Sequence, residues 1–309
     1  MQRRNFIKQA VIAAGALSLP SIGGEAFSKT PASVSGASAP ASGFKKSIMW
    51  GTIGLEGTVA DKCQAVKAAG FDGIEPNSHM DRNEVIAAMK ANGLVASSVC
   101  CSTHWAAPLS SPDAVVRQEG IDGMIVALED AKAYGTDAVL FVPGVVSESV
   151  AYDECWNRSV EGIKKLLPTA EKLKVKICIE NVWNNFLLSP TDAVRYVDQF
   201  NSPYVKFYFD CGNILYYGWP EQWIRILGNR IGRVHIKEFS KQIAEKGPRW
   251  EGFNVKLTDG DVNWVKVMEE IRTNYRSGWL TTEQGSSDTL EELKDLSERF
   301  DKILTNYPY

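Results

Sequence analysis

The sequence predicts one (β/α)8 barrel of the TIM type, and three observations carry that prediction. Short apolar runs alternate with longer amphipathic segments eight times over roughly 265 residues, the rhythm of a parallel sheet with crossover helices. The last four runs each end on a residue that can bind a hard metal ion: Glu180, Asp210, His235 and Glu283. The gaps between these four are 30, 25 and 48 residues, so no single helix or loop gathers them, whereas the strands of a parallel barrel end on one rim. An open dinucleotide-binding sheet lacks its signature, because no Gly-x-Gly-x-x-Gly follows the first strand.

Each element is readable in turn. Lys46 to Thr52 reads as the first strand and Val59 to Gly70 as a helix stopped by glycine. Phe71 to Glu75 is the second strand, followed by a helix from about Asp81 to Gly93. Leu94 to Cys101 makes the third strand and runs on to His104 and Trp105; its helix carries Ile121, Met124, Ile125 and Leu128 on one face. Ala138 to Val142 is the fourth strand, backed by a helix with Ile163, Leu166, Leu167 and Ala170 on one side. Strands over Val175 to Glu180, Val205 to Asp210, Ile231 to Ile236 and Gly278 to Glu283 follow. Helices are expected over Pro190 to Phe200, Pro220 to Leu227, Val262 to Tyr275 and Leu290 to Ile303, with a long connection from Lys237 to Asp261.

Residues 1–28 stand apart from this pattern. Arg3-Arg4, Phe6 and Lys8 precede the apolar run Ala10 to Leu19, an order similar to a twin-arginine export signal. Residues 29–43 are rich in Ser, Ala, Pro and Gly and read as a linker, which leaves 44–309 for the barrel. The expectation is a protein folded, and loaded with any metal, before export to the periplasm.

Composition narrows the function. The 309 residues are 44% hydrophobic and 23% charged, ordinary for a globular protein, and a formal charge of −3 leaves no basic footprint for nucleic acid. No apolar run beyond the N-terminus has the length of a membrane span. The six cysteines include no Cys-x-x-Cys, so they read as small buried hydrophobes rather than a zinc or redox motif. Three carboxylates and one imidazole suit one divalent ion, Mn²⁺, Mg²⁺, Co²⁺ or Zn²⁺.

The residues around those four positions resemble a known family. Ile179-Glu180-Asn181-Val182-Trp183-Asn184, Tyr208-Phe209-Asp210-Cys211-Gly212-Asn213, Val234-His235-Ile236-Lys237-Glu238 and Thr282-Glu283 are similar to the xylose isomerase-like barrels. Among these they are nearest the sugar-phosphate isomerases and epimerases of the L-ribulose (or L-xylulose) 5-phosphate 3-epimerase type. The resemblance covers most of residues 46–305 and is strongest after residue 175. It implies a divalent metal on Glu180, Asp210, His235 and Glu283, with Glu180 and Glu283 doubling as the catalytic acid/base pair. Such chemistry removes a proton beside a carbonyl, and a metal acting as a Lewis acid stabilises the resulting enediolate. Relatives acting on free ketoses tend to carry a histidine three residues after the metal aspartate, where this chain has Asn213. Against the phosphosugar reading, no dense Arg/Lys/Ser cradle is visible.

Five further residues are candidates for substrate contact. Lys237, two residues past His235, points to the same rim; a salt bridge to a neighbouring carboxylate is the alternative. His104 and Glu75 end strands three and two. Trp183 (like Trp250) could stack on a sugar ring, and Arg249 in the long connection could meet an anion or hydroxyl. The favoured activity is isomerisation or epimerisation of a sugar. A 3-keto-glycoside lyase or hydrolase using the same site is the alternative, with His104 as its acid or base, and a non-catalytic sugar-binding protein is less economical. A DNA-repair endonuclease on this barrel would need more histidines than the three present. Many relatives self-associate, and the sequence leaves a homo-oligomer open.

Overall fold

The computed structural model describes residues 43–285 and 287–306; the expected export signal and all but the end of the linker lie outside the described residues. Nine parallel strands form one sheet: β1 (Phe44–Met49), β2 (Gly73–Glu75), β3 (Val95–Ala96), β4 (Val99–Cys100), β5 (Ala138–Phe141), β6 (Lys176–Glu180), β7 (Val205–Asp210), β8 (Ile231–Ile236) and β9 (Gly278–Thr282). Their spatial order, β3-β2-β1-β9-β8-β7-β6-β5-β4, wraps the sheet so that β3 and β4 meet as two halves of the expected third strand. The barrel is thus closed but for a break at Ser97-Ser98.

That break has a local cause. The carbonyl of Ser97 accepts hydrogen bonds from Thr136 Oγ1 at 2.9 Å and from Arg233 Nε at 2.8 Å, so side-chain donors replace the ladder at this point. The first strand also ends earlier than expected, at Met49, and turns into a short 3₁₀ segment over Trp50–Thr52.

Helices α1 (Val59–Ala68), α2 (Arg82–Asn92), α3 (Ala114–Tyr134), α4 (Tyr152–Leu173), α5 (Pro190–Asp198), α6 (Cys211–Leu215), α7 (Pro220–Leu227), α8 (Lys241–Ala244), α9 (Trp264–Asn274) and α10 (Leu290–Asn306) complete the chain. The helices are capped locally. Thr58 and Asp61 form a capping box on α1, and Gly93, at φ 61°, ends α2 in the left-handed conformation that glycine adopts at least cost. Short α6, directly after Asp210, and α8 in the long connection were not expected. Among the described residues no helix is long and apolar enough to cross a membrane.

Strand alternation divides the residues between two cores. Ile177, Ile179, Phe207, Phe209, Val234 and Ile236 belong to the large core shared with the helices. Cys100, Ala138, Leu140, Cys178 and Tyr208 pack inside the barrel. All six cysteines are free and buried, as small hydrophobes are. The interior also holds a polar layer: Ser47 Oγ lies 2.7 Å from Thr281 Oγ1, and Tyr208 reaches both Thr281 and Ser98 at 3.3 and 3.1 Å. This layer is the floor on which the site stands.

Candidate metal centre

Glu180 ends β6, Asp210 ends β7, His235 is the fifth of six residues in β8, and Glu283 directly follows β9. The register sets Asp210 beside His235 across β7 and β8. One ligand atom from each of the four residues lies within 4.8 Å of all the others. His235 Nδ1 is 3.0 Å from Glu180 Oε1, 3.1 Å from Glu283 Oε2 and 3.7 Å from Asp210 Oδ2. The residues fit a divalent cation on one observation above all: Asp210 Oδ2 is buried with no hydrogen-bond partner. A buried carboxylate oxygen left without a donor is costly unless a cation meets it.

Asp210 is held from behind. Its Oδ1 accepts from the Asn213 backbone N–H at 2.6 Å, its own N–H donates to Asn181 Oδ1 at 2.9 Å, and its carbonyl accepts from Asn181 Nδ2 at 2.9 Å. Asn213 Nδ2 in turn donates to the Asn181 carbonyl at 2.9 Å. Two asparagines therefore lock the ends of β6 and β7 together and leave Oδ2 aimed at the cluster. Gly212 belongs to the same device: a Cβ there would stand 2.9 Å from the Lys237 carbonyl oxygen, so only glycine allows β7 to close on β8 here.

Charge in the metal-free cluster is unevenly held. Burial pushes Asp210 up to about 8, with Glu283 and Glu180 adding to the shift against the attraction of Lys237. Burial likewise pushes Glu180 up to about 6, although a hydrogen bond from His235 opposes it. At Glu283 burial also acts upward, but Lys237 and His235 overcome it and hold the carboxylate well below its ordinary range. Burial disfavours the His235 imidazolium, yet Glu75, Glu180 and Glu283 outweigh it and the pKa stands well above the usual value. Four ionisable groups thus share protons that a divalent ion would displace.

The cluster opens into a cavity of about 480 Å³ lined by Glu180, Glu283, Lys237, His104, Trp105, Trp183, Phe253 and neighbours. Lys237 Nζ lies 3.1 Å from Glu283 Oε2 and 4.6 Å from the centre of the Phe253 ring. Lys237 thus lines the cavity and forms the salt bridge that was the alternative reading of it. His104, in the turn after β4, faces the same space with Nδ1 buried and unpartnered; burial pushes its pKa down to about 4, so the ring is neutral. The Trp183 indole N–H donates to the Asn213 carbonyl at 2.8 Å, which fixes that ring as part of the wall.

Two expected substrate contacts are corrected by the structure. Glu75 is 0% exposed and does not line the cavity. It sits beneath His235, accepting from Nε2 at 3.0 Å and from the Tyr208 hydroxyl at 2.7 Å. With Nε2–H committed to Glu75, Nδ1 is the nitrogen presented to the other three ligands. Arg249 does not line the cavity either. It lies on the surface with its guanidinium 5.0 Å from the Tyr216 ring centre, and Trp250 beside it is 60% exposed.

Sequence reasoning assigned no role to Asn181, Tyr208, Glu238 or Gln284. Glu238 is fully buried and accepts from the N–H groups of Thr258 at 3.0 Å and Val262 at 2.9 Å, and from Trp264 Nε1 at 2.8 Å. Gln284 Nε2 donates to the carbonyls of Phe253 and Val255 at 3.0 and 2.6 Å. Together they tie the long connection over the cavity. The available signal was adjacency: each is one or two residues from a metal ligand or from Lys237.

Comparison with known proteins agrees with the fold. The pattern that defines the xylose isomerase-like TIM barrel matches residues 63–303. Across 276 residues, 84% of this chain and 92% of the relative, the sequence is 26% identical to L-ribulose-5-phosphate 3-epimerase of Escherichia coli O1:K1 / APEC. Among solved structures, D-psicose 3-epimerase of Clostridium cellulolyticum H10 superposes with a TM-score of 0.69 at 19% identity, covering 84% of this chain and 98% of the other. The 3-keto-D-glucoside 4-epimerase of E. coli superposes with a TM-score of 0.71 at 15% identity, covering 85% and 99%. These two likenesses concern the fold. The protein belongs to the xylose isomerase-like TIM barrel family.

Proposed function

We propose that this protein is a sugar epimerase or isomerase that moves a proton on a carbon beside a carbonyl. The observation that carries the reading is the placement of Glu180 and Glu283. They stand at the two ends of the four-strand arc β6 to β9, flank Asp210 and His235, and both line the cavity. A sugar carbon seated between them meets one carboxylate on each side, so one can take the proton and the other return it to the opposite face. The named relative at 26% identity, an L-ribulose-5-phosphate 3-epimerase, supports the reading.

Glu180, Asp210, His235 and Glu283 would hold one divalent ion, Mn²⁺, Mg²⁺, Co²⁺ or Zn²⁺, which when bound supplies Lewis-acid polarisation of the substrate carbonyl. The chain does the rest. Glu75 fixes the His235 ring, Asn181 and Asn213 fix Asp210, and Lys237 steadies Glu283 while presenting its remaining N–H donors to substrate hydroxyls. His104 lines the cavity as a neutral ring. Trp183 and Phe253 exclude water from one side.

The test is proton NMR in D₂O with metal-loaded protein and a panel of ketoses, their phosphates and keto-glycosides. Deuterium entering beside the carbonyl with formation of a new sugar is expected. Release of an aglycone would make the protein a lyase, and binding without exchange would make it a sugar-binding protein. The export reading of residues 1–28 is also proposed; finding the protein in the cytoplasm rather than the periplasm after cell fractionation would overturn it.

A further inference from the structure

The cavity above the cluster is poorly suited to the phosphate in the named relative's substrate and well suited to a second sugar ring. Among the described residues lining it, Lys237 is the one cation, and its ammonium is already engaged by Glu283 at 3.1 Å and by the Phe253 ring. The nearby guanidinium of Arg249 lies over Tyr216 outside the lining, and Arg299 is bound by Asp259 at 2.7 Å and Asp295 at 3.1 Å. A phosphate dianion entering here would lose water without gaining the paired or forked donors that repay its desolvation.

The aromatic residues point the other way. Trp105 lines the cavity although its side of the chain faces solvent, and at 54% exposure it contributes little to the core. The His104 ring packs edge-on against it at 5.3 Å and 78°, and His104 itself packs on Phe141 at 6.4 Å. Trp183 and Phe253 line the same space, and Tyr217, 59% exposed, stands edge-on to Trp183 at 5.7 Å. An exposed indole beside a cavity is a stacking platform for the apolar face of a sugar ring.

We infer that the substrate is an uncharged sugar carrying a second ring, with its keto-sugar unit between Glu180 and Glu283 and the second ring on Trp105. This rests on the epimerase reading for the position of the keto-sugar unit. Two sources share that chemistry: a disaccharide with a ketose at its reducing end, and a glycoside already oxidised to a ketone on its ring. In the second case the locked anomeric carbon supplies no carbonyl, so an upstream oxidation must have made it.

The experiment is calorimetric binding to the metal-loaded protein, using D-fructose, D-fructose 6-phosphate, the ketose disaccharide lactulose and phenyl 3-keto-β-D-glucoside. Deuterium exchange beside the carbonyl is read in parallel. At least one two-ring sugar is expected to bind tenfold or more tightly than fructose, and the phosphate no more tightly than fructose. Lactulose or the keto-glycoside as the tighter ligand identifies the source. Trp105→Ala should bring the two-ring to one-ring affinity ratio toward one, and Trp105→Phe should restore it. Tighter binding of the phosphate, or a ratio unmoved by Trp105→Ala, would overturn the inference. Trp105-dependent binding of a two-ring sugar without any deuterium exchange would instead leave it standing and sink the epimerase reading.

Discussion

Glu75 at the end of β2 and Glu180 at the end of β6 look alike in sequence, each a glutamate finishing an apolar run, yet they stand at different depths in the barrel. Glu180 lines the cavity and joins the ligand cluster, whereas Glu75 lies under His235 in the polar layer with Tyr208. The difference arises from where each strand stops. β2 is three residues long and Glu75 pairs in register with Met49 of β1, while β6 is five residues long and Glu180 pairs with Tyr208 of β7. A strand-end carboxylate is therefore a ligand or a support according to its layer, and layer is a property of the whole barrel.

The sharpest separation of the two roles comes from Glu180→Gln. It removes a ligand and a base together, so deuterium exchange should fall by about 10²–10⁴-fold, the range a positioned acid or base contributes. Metal binding measured by calorimetry should weaken with it. Full activity in Glu180→Gln would remove this residue from the mechanism.

Glu75→Gln comes next in size. The substitution keeps the shape but replaces the carboxylate that receives His235 Nε2–H, so the ring loses its fixed tautomer while the cavity wall is unchanged. Metal affinity should fall 10–100-fold, as for other groups behind a metal ligand, with substrate affinity at saturating metal changed much less. An equal loss of substrate affinity at saturating metal would instead return Glu75 to the cavity.

How far the sequence could be read follows from these same residues. Glu180, Asp210, His235 and Glu283 were legible because each closes a strand and the strands are consecutive, which a parallel barrel converts into one cluster. The broken third strand was not, since it depends on Arg233, 136 positions away, bonding to the Ser97 carbonyl. The burial of Glu75 and the surface position of Arg249 were equally hidden, because a local pattern gives direction but neither depth nor the course of a long connection. Glu238 lay in the quoted motif with no role assigned, since its partners at Thr258, Val262 and Trp264 lie across a loop of unpredictable path.

A third expectation concerns protons in the metal-free protein. Asp210, Glu180 and His235 all have folded pKa values above their ordinary ones, so between about pH 5 and 8 the folded state binds more protons than the unfolded state. Stability must then fall as pH rises across that window. Glu283, depressed by Lys237 and His235, works in the opposite direction, but its contribution is complete below pH 5. A metal ion replaces the protons, so its affinity should rise over the same window. Thermal melts of chelated protein should lose roughly 5 °C between pH 5 and 8, and saturating Mn²⁺ should abolish the loss. A chelated protein that grows more stable with pH would show that the cluster does not hold these protons.

The smallest effect is expected at His104, where the two halves of the barrel meet across the cavity. The ring lines the cavity and burial keeps it neutral, so it can donate or accept one hydrogen bond with a substrate hydroxyl. It is not one of the four residues whose ligand atoms cluster. His104→Asn, which retains polar atoms in a smaller side chain, should leave metal affinity within about threefold. It should raise KM by about tenfold, the value of a hydrogen bond worth roughly 1.5 kcal/mol. Because the ring is already neutral throughout the working range, the pH profile of kcat should not move. A shifted profile would instead make His104 an acid or base, and with it the first half of the barrel would supply chemistry as well as walls.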